Sequence, residues 1–259
     1  MVSRRLALIL AAALSLGLAL PAPAQEPPVV AAASDLQFAV EEIAAKFKEE
    51  TGQEVQLSFG STGNFARQIR EGAPFQMFMA ADESFVLELA ADGLTRDEGA
   101  LYAEGRVVIV VPNGSILTAD GSLESLRAAL AEGRITRFAI ANPEHAPYGK
   151  RAEEALKHAG LWDAIQPHLI LGENVSQAGQ FALSGNAEGG IIAYSLALAP
   201  ALAAQGSHDL IPADWHEPLL QRMVLLKDAG PVAEAFYDYM GSPSAREIME
   251  KYGFALPQG

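Results

Sequence analysis

Four short segments place hydroxyls, amides and turn formers where an apolar strand gives way to a helix. They are Ala33-Ser34-Asp35-Leu36, Phe59-Gly60-Ser61-Thr62-Gly63-Asn64, Asn142-Pro143-Glu144-His145-Ala146-Pro147-Tyr148-Gly149-Lys150 and Glu173-Asn174-Val175-Ser176-Gln177. The chemistry open to such junctions is anion binding. A helix start exposes unpaired N–H groups and a partial positive charge, so it can hold an anion without Lys or Arg. Plain capping competes with that reading. Ser34 and Gln37 match a capping box, and Asp35 is also a good cap. The two prolines of the third segment also suit an ordinary stiff turn, as well as a rigid loop that aims the Tyr148 phenol at a ligand. Gly60 and Gly63 would let backbone approach a ligand closely. Any one junction carries little weight; four of them, spread over two halves of the chain, carry more.

Enzyme chemistry finds less support. His145, His158, His168, His208 and His216 form no metal-binding spacing, and no GxSxG elbow is present. Gly60-Ser61-Thr62-Gly63-Asn64 lacks the GK[ST] of a phosphate-binding loop. His145 reads as a solvated surface residue, although it lies in a candidate loop. No nucleophile–base pair is visible, so the chain is expected not to be an enzyme and to need no cofactor.

The elements that must position these junctions follow from hydrophobic period. Val29–Ala33 reads as a strand. Leu36, Ala39, Val40, Ile43, Ala44 and Phe47 then share one helix face. Strands are expected at 55–59, 77–80, 106–111, 138–141, 169–171, 190–193, 210–212 and 223–226. Helices are expected from Phe65, at 83–92, 123–131, 150–159, 177–183, 232–239 and 245–251. Alternation of this kind predicts an α/β fold with mostly parallel sheets, and about nine strands suggest two lobes with ligand at the strand carboxyl ends.

Composition sets the outer bounds. At 259 residues, half of them hydrophobic and 19% charged, the chain can build a sizeable core. Arg4-Arg5, an apolar run from Leu6 to Leu20 and Ala22-Pro23-Ala24 read as a signal peptide over residues 1–24, cleaved after Ala24. The run is too short for a membrane span. With no Cys there is neither disulfide nor lipid anchor, which points to a free protein of a Gram-negative periplasm. Without Arg4 and Arg5, 16 basic and 32 acidic residues leave a charge near −16. Nucleic acid is therefore not expected as a partner. A buried site of local dipoles can still hold an anion, since salt screens distant charges beyond roughly 8–10 Å.

Together these junctions are recognisable. Ala31-Ala32-Ala33-Ser34-Asp35-Leu36, Gly60-Ser61-Thr62-Gly63, Arg67-Gln68-Ile69, Gly72-Ala73-Pro74-Phe75, Ala81-Asp82-Glu83, Asn142-Pro143, Ala146-Pro147-Tyr148-Gly149, Asn174-Val175 and Tyr252-Gly253-Phe254 closely resemble the periplasmic molybdate/tungstate-binding protein family. The resemblance covers nearly the whole chain after the leader. It implies a type II periplasmic-binding-protein fold: two α/β lobes, a hinge of crossing strands and a ligand cleft between them. Lobe I would be residues 26–107 plus 224–259, and lobe II residues 108–223.

The resemblance further implies a monomeric solute-binding component that captures molybdate or tungstate and delivers it to an ABC transporter permease in the inner membrane. The oxyanion would be held by Ser34, Asp35, Thr62, Tyr148 and, through its N–H, Val175. Metal enters only as the oxyanion, not as a free ion. Neutral donors at fixed spacing would favour an ion wider than sulfate. Some relatives carry Ser or Asn where this chain has Asp35. Asp35 is thus expected either to offer its N–H with its side chain turned away or capping the helix, or to accept a proton from a monoprotonated oxyanion of the phosphate or arsenate kind. Gln76, where many relatives have Asp or Asn, is expected just behind the site. A small organic acid is the remaining alternative, with Arg67, Arg106 and Arg151 as partners for its carboxylate.

Overall fold

The computed structural model describes residues 26–257; the expected leader at 1–24 lies outside them. The chain opens with β1 (Val29–Ala33), a single 3-10 turn at Ser34–Leu36, α1 (Gln37–Thr51), β2 (Gln56–Gly60), α2 (Thr62–Arg70), β3 (Phe75–Ala80), α3 (Glu83–Ala91) and β4 (Ala100–Gly105). It continues through β5 (Val107–Pro112), α4 (Glu124–Ala131), β6 (Phe138–Ala141), α5 (Pro147–His158), α6 (Trp162–Ile165), β7 (Leu169–Gly172), α7 (Val175–Leu183), β8 (Gly189–Ala193), α8 (Tyr194–Leu198), α9 (Pro200–Ala203) and β9 (Gly206–Leu210). It closes with β10 (Leu219–Leu225), α10 (Pro231–Tyr239) and α11 (Pro243–Lys251).

Two five-stranded sheets result, in the orders β2-β1-β3-β10-β4 and β7-β6-β8-β5-β9. Each has a parallel trio, β2-β1-β3 or β7-β6-β8, extended by antiparallel strands. The sheets are thus mixed rather than mostly parallel. In each sheet the strand that arrives from a crossing, β10 or β5, runs against the trio, and the strand that leaves for a crossing, β4 or β9, pairs antiparallel with it and so runs with the trio. The first crossing is a single residue, Arg106, between β4 and β5, and the second is the segment 211–218 between β9 and β10. The expected division had assigned 219–223 to lobe II. All of β10 pairs with β3 and β4, so those residues belong to the first sheet.

Local chemistry accounts for the elements around the junctions. Ala39, Val40, Ile43 and Phe47 bury one face of α1, and Gly52, at φ 72°, ends it in the left-handed conformation that glycine adopts without strain. β1 is nearly all small and buried because both faces of its sheet are covered. Phe65, Ile69, Phe78, Val86, Leu89 and Val224 fill the layer between that sheet and α2 and α3. β4 escapes sequence reading because Leu101-Tyr102-Ala103-Glu104 lacks clean alternation; pairing with β10 creates it. β9, Gly-Ser-His-Asp-Leu, is likewise an edge strand made by its pairing with β5, and the expected strand at 210–212 catches only its last residue.

Candidate functional site

The carboxyl ends of β1, β2, β6 and β7 face one another, each leading into a helix. Between them lies a small pocket lined by Ala33, Ser34, Asp35, Gly60, Ser61, Thr62, Ala81, Ala146, Pro147, Tyr148 and Val175. All five residues expected from the sequence line this one space, three from the first lobe and two from the second. No Lys or Arg lines it, and Asp35 is its one acidic residue. Among the described residues no group of three His, Cys, Asp or Glu is placed to hold a metal ion.

The rim is made of helix starts whose acceptors are already occupied. Thr62 opens α2 and is fully buried; its Oγ1 accepts the Ala81 N–H at 3.0 Å, which leaves its own O–H to donate. Ser34 Oγ accepts the Ser176 N–H from the other lobe at 3.2 Å, with the same consequence. Val175 is the first residue of α7, so its N–H has no partner within the helix. Tyr148 is the second residue of α5, behind Pro147, and contributes the first N–H of that helix. Capping falls to other residues. Ser61 accepts from Asn64 N and Asn174 from Gln177 N, whereas neither Ser34 nor Asp35 caps a helix.

The floor is a buried network beneath these donors. Gln221 is fully buried in β10. Its Nε2 donates to Asp35 Oδ2 at 2.7 Å and to the Tyr148 hydroxyl at 3.1 Å, and its Oε1 accepts from the Tyr102 hydroxyl at 2.9 Å. Asp35 is 1% exposed, and its Oδ1 is buried with no hydrogen-bond partner. The Tyr148 hydroxyl also faces this carboxyl but forms no well-shaped bond to Oδ1. Burial pushes the Asp35 carboxyl up to about 6, against the opposing pull of Gln221 and Tyr148. Burial first, then the charge of Asp35, pushes both Tyr102 and Tyr148 well above the usual phenol range, so both stay neutral donors. Gly105 makes room for this packing, because a Cβ there would lie 2.2 Å from the Tyr148 hydroxyl.

Several expectations need correction. Of the orientations expected for the Asp35 side chain, turned away or capping, the cap is not formed, and the carboxyl turns to Gln221. The Tyr148 phenol is directed at Gln221 and Gly105, so the N–H of Tyr148 is the freer donor. His145 is half-buried rather than a freely solvated histidine. Its Nδ1 is 3.0 Å from Ser61 Oγ, and its carbonyl accepts the Gly63 N–H at 2.9 Å across the lobes. The missing Cβ of Gly63 therefore admits the His145 carbonyl, and that of Gly60 admits the Phe65 ring, rather than a ligand. Arg67 bonds Asn64, Arg151 joins Asp82 to Glu154 across the lobes, and none of Arg67, Arg106 and Arg151 lines the cavity. Gln76 sits at the far end of β3, where it accepts from the Gly230 N–H, and has no part in the site. Gln221, Tyr102, Ser176 and Ser195, whose hydroxyl donates to the Asp35 carbonyl at 2.7 Å, went unread. Gln221 had one signal: a polar residue on the buried face of a strand, between Leu219 and Met223.

The chain is similar to known proteins along nearly all of its described length. A family described as bacterial extracellular solute-binding protein matches residues 28–255. The molybdate-binding protein ModA of Rhodobacter capsulatus is 36% identical over 247 residues, covering 94% of each chain. ModA of Azotobacter vinelandii is 36% identical over 231 residues, covering 88% of this chain and 89% of that one. The solved periplasmic molybdate-binding protein of Azotobacter vinelandii superposes with a TM-score of 0.80 at 32% identity, over 90% of this chain and all of that one.

Proposed function

On the premise that this chain belongs to the bacterial extracellular solute-binding protein family, we propose that it captures molybdate or tungstate outside the cytoplasm and hands it to an ABC importer. It is a transport component with the type II two-lobed fold, not an enzyme, and it needs no cofactor. The observation that carries the ligand is the small cavity itself: helix starts from both lobes, hydroxyls with their acceptors filled, and no cation. Ser34 and Thr62 donate hydroxyl protons, Val175 and Tyr148 donate N–H groups, and Asp35 lies beneath them.

The physics favours such a set. Hydrogen bonds to a charged group contribute about 1.5–3 kcal/mol each, though not additively. Neutral donors avoid burying a counter-charge that must be paired well. The pocket is small, which weighs against a drug-sized ligand. The absence of a lining Arg also weighs against an organic acid. Capture proceeds by closure, since only the closed form brings the Val175 and Tyr148 donors onto an anion held by Ser34 and Thr62. The chain works as a monomer, with residues 26–105 and 219–257 as one lobe and 107–210 as the other. Export to the periplasm with cleavage after Ala24 completes the reading. The Asp35 carboxyl favours one competing ligand, a monoprotonated oxyanion of the phosphate or arsenate kind. Calorimetry with molybdate, tungstate, sulfate and phosphate tests the proposal. Tight binding of the first two alone supports it, and binding of phosphate in preference to both overturns it.

A further inference from the structure

A carboxylate is an odd floor for an anion site. Asp35 lines the cavity, is 1% exposed, and has one oxygen bonded to Gln221 and one buried oxygen with no partner. An ionised carboxylate so placed would repel a dianion and leave Oδ1 unsatisfied. A protonated one would have a donor at Oδ1 and an acceptor at Oδ2, where Gln221 already donates. Building on the oxyanion reading, we infer that the anion is held together with one proton carried on Asp35 Oδ1, so that each dianion captured near neutral pH draws one proton from solvent.

Nothing around Asp35 supplies a compensating charge. From α5 it is faced by Tyr148, from β4 by Tyr102 and from β10 by Gln221, all neutral. The next residue of β10, Arg222, turns away to Glu83. α8 brings Ser195 to the Asp35 carbonyl and has Tyr194 as its one titratable group; α7 and β2 carry none. The charged residues of α1 begin at Glu41, and Glu42 is paired with Lys251. On the far side of the cavity His145 meets Ser61 Oγ, with Glu173 3.5 Å from its Nε2. The ease with which Asp35 takes up a proton, titrating at about 6, fits this role. Once the anion is bound, the proton is held more tightly still, because the neighbouring negative charge disfavours the ionised carboxylate.

Calorimetry of the whole chain with sodium molybdate at pH 8, in Tris and in HEPES, reads the proton directly from the difference in heat between buffers. The inference expects uptake of close to one proton per anion, and a Kd that rises about tenfold per pH unit between pH 7 and 9. Asp35→Asn should take up none and show a flat Kd over that range, while His145→Gln keeps the uptake. Infrared difference spectra of the unmutated protein should gain a protonated-carboxyl band on molybdate addition, which keeps the test decisive if Asp35→Asn folds poorly. Molybdate binding without buffer dependence and without that band overturns the inference alone. Uptake that persists in Asp35→Asn also overturns it. No molybdate heat at any pH overturns the oxyanion reading, and this inference with it.

Discussion

At the rim of the cavity each donor sits within a residue or two of the strand end or helix start that positions it. At the floor, Gln221 and Asp35 are 186 positions apart and meet only because β10 returns to the first sheet. The rim is neutral, and Ser34 and Thr62 each accept one backbone N–H and keep an O–H to donate. The floor holds an ionisable group, an unsatisfied oxygen and two phenols that stay protonated. The difference teaches a division of labour. Under the proposed function, helix starts present donors to an anion, while the floor network governs how those donors are held and at what protonation state the site rests.

The sharpest way to break this picture is at the lobe contact. Gly63→Ala puts a Cβ 2.7 Å from the His145 carbonyl, and neither backbone can yield without parting the lobes. Affinity for molybdate should fall by roughly a hundredfold or more, about 3 kcal/mol, and small-angle scattering should show the chain failing to compact on ligand addition. Unchanged affinity would mean that the lobes need not meet here.

Next comes the floor in the absence of ligand. Because folding raises the Asp35 carboxyl from 3.8 to about 6, the folded state binds more protons than the unfolded state between those values. Stability due to this group is thus present below pH 4, is lost as pH rises to 6, and stays lost above. The loss is about 3 kcal/mol at most. Asp35→Asn should melt several degrees above the parent at pH 8, the gap closing towards pH 4, by calorimetric melting. A gap that widens in acid would reverse the assignment.

The rim gives the third test. Thr62→Ala removes a donor and leaves the buried Ala81 N–H unpartnered, so binding should weaken by about 1–3 kcal/mol with no dependence on pH. Tyr148→Phe should have the smallest effect, about 1 kcal/mol, since its hydroxyl serves Gln221 while its N–H is retained. If Tyr148→Phe costs more than Thr62→Ala, the phenol itself reaches the anion and the separation of rim from floor is wrong.

The same division explains what the sequence disclosed. Val29–Ala33 and Phe138–Ala141 were legible as strands to the residue, because apolar runs bounded by turn chemistry need no distant partner. Ser34, Thr62, Tyr148 and Val175 lie in strand-to-helix junctions that the sequence marks, and the family resemblance named them as donors. β4, β9 and most of β10 were not legible, being strands that exist through their pairing. With β10 unread before Met223, Gln221 had no element to sit on, and the fate of the Asp35 side chain stayed open. His145 looked solvated because its hydrogen-bond partner, Ser61, lies 84 positions away in the other lobe.

The central claim is that helix starts and hydroxyls at this cavity hold a tetrahedral metal oxyanion. Crystals grown with molybdate and measured near the molybdenum absorption edge test it directly. One anomalous peak should stand between Ser34, Thr62, Tyr148 and Val175, with its oxygens in hydrogen-bonding reach of those donors. A peak elsewhere on the chain, or an empty cavity at saturating molybdate, would contradict it.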